Sequence, residues 1–143
     1  MSAVTSVKAS LALDSGVLVE IFSDSELGRS ICSRLQSEDV TAYTSPVNVA
    51  EASYVVCRVV GHEKAQAAAR DLLDSGFIML EDDPRIHVIA SEFKCKRVIS
   101  FVDCYTFAVA RLTGSTPVFA KEEADLTREA KKRPFETPPI FLS

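Results

Sequence analysis

The chain has 143 residues, 47% apolar and 25% charged, with a formal net charge of −4 and a pI near 5.2; this is the size and balance of one ordinary globular domain with its own core. The acidic balance excludes a protein that coats nucleic acid through bulk positive charge, which needs clustered Lys and Arg, although carboxylates that hold a divalent cation keep a nuclease acidic until the cation binds. Cys32, Cys57, Cys95 and Cys104 form no C-x-x-C pair and only His62 and His87 accompany them, which excludes a zinc spacing; no apolar run nears the ~18–20 residues of a membrane span.

Residues 1–14 have no long apolar leader and no cleavage-type site. The expectation is a cytoplasmic protein with free thiols. The residues before Leu11 read as a short frayed end. Residues 10–13 form a short apolar run that ends in Asp14 and Ser15-Gly16, the pattern of a buried strand feeding a helix over 17–22. A second helix over 26–37 places Leu27, Ile31 and Leu35 on one face. Residues 40–44 (VTAYT) are β-branched and aromatic, as strands are.

Ser45-Pro46 starts a helix, with a capping hydroxyl followed by proline at the first helical position. That helix runs to about Val60, where Gly61 stops it. An alanine-rich helix over 62–74 ends at Ser75-Gly76, and 77–80 (FIML) is a short buried strand. Asp83-Pro84 starts a helix to about Lys96. The next helix, 100–112, is closed by Gly114, and 116–120 (TPVFA) is a strand. Residues 121–132 read as a charged, solvated helix that Pro134 terminates, and 140–142 (IFL) as a last edge strand. There are no repeats and no linker, so the chain is a single domain. Strands alternating with helices predict an α/β fold, a central parallel sheet covered by helices on both faces. Ligands in such folds bind outside the carboxyl ends of the strands, and Asp14 is placed at one.

Three acids stand out against apolar surroundings. Glu51 is the only acid of PVNVAEASYVVCRVV, and Asp103 the only acid of SFVDCYTFAVARL. An ionised carboxylate in an apolar stretch needs a cation, a donor or a cleft. Each has a plain structural reading as well. Glu51 can pair with Arg58; Asp103 can complete a capping box with Ser100 and favour the helix dipole; Asp14 can cap the helix after it. In a parallel α/β fold, however, the three can converge on one edge of the sheet. Convergent carboxylates repel one another unless cations neutralise them, and hard oxygen ligands of this kind suit Mg²⁺ or Mn²⁺.

The run LALDSGVLVEIF resembles the opening of a PIN domain of the VapC type, with Asp14 as the first acid of its metal site. SPVNVAE is similar to that family's second motif, with a serine ahead of Glu51. SFVDCYTFAVARLTGSTPVFA is similar to the third motif and the strand after it, and contributes Asp103. The resemblance covers most of 11–128 and implies a three-layer α/β/α fold. The family's fourth acid lies just past that strand in a T-x-D-like turn, where this sequence reads VFAKEEADL. The strict position falls on Lys121, which cannot bind a metal; Glu122 is the preferred substitute, then Glu123, then Asp125. All three also read as solvated charges on a helix face.

The resemblance further implies a Mg²⁺- or Mn²⁺-dependent endoribonuclease, the toxin of a toxin–antitoxin pair, usually a homodimer and held inactive by a small antitoxin. Asp14, Glu51, Asp103 and Glu122 would ligate the cation, directly or through water, and hydrolysis needs no protein nucleophile. Ser45 and Asn48 are placed to orient Glu51 or a water beside the cation, and Ser45 equally caps its helix. Lys94, Lys96 and Arg97, and separately Lys131, Lys132 and Arg133, are candidates for RNA phosphates or plain solubilising surface. Residues 55–60 and 65–69 offer small, apolar faces for a second copy or an antitoxin, or for the core. Lys121 keeps open a catalytically silent PIN domain that serves as a protein- or RNA-binding scaffold. A phospho-accepting receiver-like domain fits Asp14 loosely, but no acid pair precedes it.

Overall fold

Side-chain alternation along the two central strands decides where the helices lie. In β1 (Ala9–Leu13) and β4 (Thr116–Phe119) successive residues face opposite sides of the sheet. Ala12 and Phe119 belong to one apolar core, with Ile86, Phe107 and Leu126. Leu13 and Val118 belong to another, with Val17, Leu18, Ala42 and Ile78. A sheet with a core on each face must be covered by helices on each face.

The computed structural model describes residues 9–143. Between β1 and β4 lie α1 (Ser15–Phe22), α2 (Glu26–Gln36), β2 (Val40–Thr44), α3 (Pro46–Val60), α4 (His62–Ser75), β3 (Ile78–Leu80), α5 (Arg85–Lys96) and α6 (Phe101–Thr113); α7 (Ala124–Lys132) and β5 (Ile140–Phe141) follow. The five strands form one parallel sheet in the order β3-β2-β1-β4-β5. The predicted three-layer α/β/α fold is the observed one. No helix among the described residues is long and apolar enough to cross a membrane.

The helix starts follow the capping chemistry. Ser25, Ser45 and Ser100 each accept a backbone N–H in the first turn of α2, α3 and α6. Gly114 closes α6 in the left-handed region, at φ 68°, which a side chain would resist. Gly28 is required for another reason: a Cβ there would run into the Glu20 carbonyl, so its absence lets α2 pack closely on the end of α1.

Two helix starts differ from the sequence reading by two residues or more, and the other boundaries agree to within about one. Helix α1 begins at Ser15, not 17, because the Asp14 side chain accepts Gly16 N–H at 3.2 Å and caps it there. Helix α7 begins at Ala124, not 121, because the C-terminal strand holds residues 120–123 as a turn. Leu142 N–H donates to Phe119 O at 3.0 Å, Glu122 N–H to Ser143 O at 3.2 Å, and Ser143 Oγ to Ala120 O at 3.1 Å. The expected frayed end falls on residues 1–8, outside the described residues, and on Ala9 and Ser10, which begin β1.

Candidate metal centre

The strand order reverses direction between β1 and β4. From β1 the chain moves outward through β2 and β3, then returns to β4 on the other side. Adjacent crossovers leaving in opposite directions open a crevice at the carboxyl ends of the two strands. Asp14 directly follows β1, and the 120–123 turn directly follows β4. Helix α6 leads into β4 through a two-residue turn, which puts its first turn, with Asp103, at the same edge.

Asp14, Asp103 and Glu123 meet there, each offering a carboxylate oxygen within 4.8 Å of the others. Asp14 and Asp103 are buried, each 7% exposed, and Glu123 is half-buried. The three line a cleft of about 440 Å³ together with Glu20, Glu51 and Lys121.

Asp14 is held on both oxygens. Oδ2 accepts Gly16 N–H, and Oδ1 accepts the Thr106 hydroxyl at 2.8 Å. Behind Thr106 stands a buried chain of polar groups. Asn48 Nδ2 donates to Thr106 Oγ1 and to Ser15 Oγ, both at 3.1 Å. Ser45 Oγ donates to Asn48 Oδ1 at 2.5 Å, while accepting Asn48 N–H at 3.0 Å. Fully satisfied buried networks of this kind fix geometry, and no buried side-chain polar atom among the described residues lacks a partner.

The site is electrostatically strained without a cation. Burial, then the charges of Asp14 and Glu123, push the Asp103 carboxyl up to about 8. Burial, then the Asp14 charge, also raises Glu123. Burial raises Asp14 as well, opposed by its donors Thr106, Gly16 and Ser15. The donor set fits a hard divalent cation: all ligands are oxygens, and ligands on one such ion lie about 2.1 Å from it, a span these side chains reach with small adjustments.

The positions of the sequence-predicted residues divide. Asp14 and Asp103 come together as expected. Glu51 lines the same cleft but is exposed and outside the three-acid cluster; its charge acts on Asp14 and Glu123. It forms no ion pair with Arg58, which donates to Tyr54 OH at 2.8 Å. Glu122, the preferred fourth acid, is not in the cluster: it is exposed and accepts Thr127 Oγ1 at 3.1 Å. Glu123 stands in its place, because the turn leaves Glu123 extended at the start of α7 with its carboxylate uncommitted to capping. Asp125 pairs with Arg128 on the outer face of α7.

Ser45 and Asn48 support Asp14 through Thr106, rather than Glu51. Thr106 was missed by sequence reasoning; its one signal was a hydroxyl three residues after Asp103, one turn further along the same helix. The first basic cluster is internally engaged. Lys94 donates to Ile99 O, Lys96 pairs with Glu92, and Arg97 lies over the Phe135 ring while donating to Arg133 O and Pro134 O. His87 Nδ1 meets Tyr105 OH at 2.7 Å. All four cysteines are free.

A PIN-domain family model matches residues 11–131 of this chain. No curated protein matches it in sequence. Among solved structures, VapC20 of Mycobacterium tuberculosis, described as a Sarcin-Ricin loop cleaving toxin, is 22% identical with a TM-score of 0.63, over 84% of this chain and 94% of that one. VapBC2 of Rickettsia felis, bound to a promoter DNA fragment, gives a TM-score of 0.69 at 15% identity, over 94% and 99%. DNA-bound VapBC of Salmonella typhimurium gives 0.65 at 14%, over 96% and 100%. At these identities the likeness is one of fold.

Proposed function

The chain belongs to the PIN-domain family, and from that premise we propose that it is a Mg²⁺- or Mn²⁺-dependent endoribonuclease, the toxin of a VapBC-type pair. The observation that carries the reading is the Asp14–Asp103–Glu123 cluster at the switch point of the sheet. A divalent cation supplies two things at such a site: it acidifies water and neutralises charge developing on a phosphodiester. Asp14, Asp103 and Glu123 are the ligands we assign, with Glu123 taking the place first given to Glu122.

The side chains have separable tasks. Thr106 and Gly16 fix the Asp14 carboxylate, so its remaining lone pairs point in one direction. Burial and mutual repulsion favour the protonated forms of Asp103 and Glu123, and a cation competing for their oxygens would displace protons. Glu51, open to solvent in the same cleft, orients water. RNA is the substrate we assign, with a small antitoxin protein and a second copy of the chain as partners; the likeness to VapBC2 of Rickettsia felis and VapBC of Salmonella typhimurium supports the antitoxin. A cytoplasmic setting goes with those partners.

A second reading has one observation in its favour. Lys121 stands where the family's fourth acid is usual, which suits a silent scaffold. Both readings meet in one assay: purified protein with fluorescent single-stranded RNA and Mn²⁺ or Mg²⁺. Cutting that EDTA and Asp103→Asn both abolish is the expected result. Cutting that survives Asp103→Asn removes the assignment, and metal binding without cutting of any RNA favours the scaffold.

A further inference from the structure

The cleft that holds the acid cluster is lined by Asp14, Glu20, Glu51, Asp103, Glu123 and a single base, Lys121. Lys121 is exposed and joins no ion pair among the described residues. Its backbone is not loose. The 120–123 turn is tied to the C-terminal strand by hydrogen bonds at Phe119, Ala120 and Glu122, which anchors the root of the side chain at the carboxyl edge of β4. Glu123, two residues on, reaches the cluster from the same turn.

An ammonium has three donors and no lone pair. It cannot ligate a second metal ion, and its charge disfavours one nearby. A two-metal site needs carboxylates for two cations about 3.5–4 Å apart; here only three of the five carboxylates lining the cleft cluster, Glu20 and Glu51 standing outside that set, and the turn's Lys121 is cationic. One divalent ion removes most of the negative charge of those three. A phosphodiester entering the cleft then brings new negative charge against the one base that lines it.

We propose that the cleft takes one divalent cation and that Lys121 supplies the second positive charge, binding a phosphate oxygen of the RNA strand. This rests on the ribonuclease reading above and adds to it the number of cations and the substrate contact. Lys121 is then a substrate-binding residue that does the electrostatic work a second ion would do.

The test has two readouts, neither of which is activity. Mn²⁺ titration of the full chain, followed by electron paramagnetic resonance, counts ions. Fluorescence anisotropy of a short single-stranded RNA, with Ca²⁺ present to keep the strand whole, reads binding. The expected result is one Mn²⁺ per chain in the unaltered protein and in Lys121→Met, bound no more weakly in the variant, since a positive charge beside the cation is removed. Lys121→Met should bind the RNA about tenfold more weakly. Its salt dependence should fall by about 0.7 in log–log slope, one phosphate contact on a single strand, and Lys121→Arg should restore both. Two Mn²⁺ ions per unaltered chain, or unchanged RNA binding by Lys121→Met, overturns the inference and leaves the ribonuclease reading standing. An unaltered chain that binds neither Mn²⁺ nor RNA overturns both.

Discussion

Thr106 has no charge and no motif, yet it links the two halves of the site. Its hydroxyl donates to Asp14 and accepts from Asn48, so α3 positions the carboxylate that follows β1 through a side chain on α6. Thr106→Val keeps the shape and removes both bonds. Asp14 then loses a donor that favours its ionised form, and Asn48 loses an acceptor in a buried setting. The expected outcome is Mn²⁺ affinity lower by about 10–100-fold, as for other residues that orient a ligand, with stability lower by about 1–3 kcal/mol. Thr106→Ser should recover most of the affinity. Mn²⁺ titration and thermal melts separate the two effects, and unchanged affinity in Thr106→Val removes Thr106 from the site.

At the scale of elements, the turn between β4 and α7 decides which acid joins the cluster. As a helix over 121–132, the segment would carry Glu122, Glu123 and Asp125 as surface charges. The observed start at Ala124 leaves 120–123 as a turn that ends in an extended Glu123, which joins the cluster while Glu122 stays exposed. β5 is what holds the turn, through its pairing with β4 and the bonds of Leu142 and Ser143. Deleting residues 140–143 should therefore weaken Mn²⁺ binding while circular dichroism still reports a folded α/β domain, since β5 is a two-residue edge strand. Full metal affinity in the truncated chain would show that the turn keeps its form unaided.

For the whole molecule, the cluster couples protonation to folding, and on the proposed reading to metal binding as well. Asp103 is pushed up to about 8 in the folded chain, against about 3.9 when unfolded. Between those values the folded protein binds a proton that the unfolded chain does not, so metal-free stability falls as pH rises through that window and levels off above it. Asp14 and Glu123, also raised, act with the same sign. Asp83 and Glu92, lowered by arginine and lysine partners, act with the opposite sign at acid pH. Because cation and proton compete, stabilisation by Mg²⁺ or Mn²⁺ should grow with pH. Melts in EDTA from about pH 5 to about pH 8, repeated with Mn²⁺, should show the melting temperature falling in the first series and the metal-induced shift widening. Asp103→Asn should flatten both trends, and that comparison cancels Asp83 and Glu92. A metal-free protein with no Asp103-dependent slope would mean that the carboxyl is ionised at neutral pH.

The sequence by itself determined the elements, the layer order and two of the three clustered acids. Those features rest on local physics: apolar periodicity, capping hydroxyls at Ser45 and Ser100, and strands too apolar to face water. Asp14 and Asp103 were legible because an acid in an apolar run is costly wherever the chain goes. Tertiary structure alone decided the rest. For Glu51 the sequence left a cation, a donor or a cleft open, and the packing of α3 places it, exposed, in the cleft. Glu123 replaced Glu122 because hydrogen bonds from residues about twenty positions later set the turn. Thr106 acquired its role only when α6 packed against α3 and the end of β1. In each case the deciding contact joins residues far apart in the chain, and no local pattern records which of two neighbouring side chains a distant strand will turn inward.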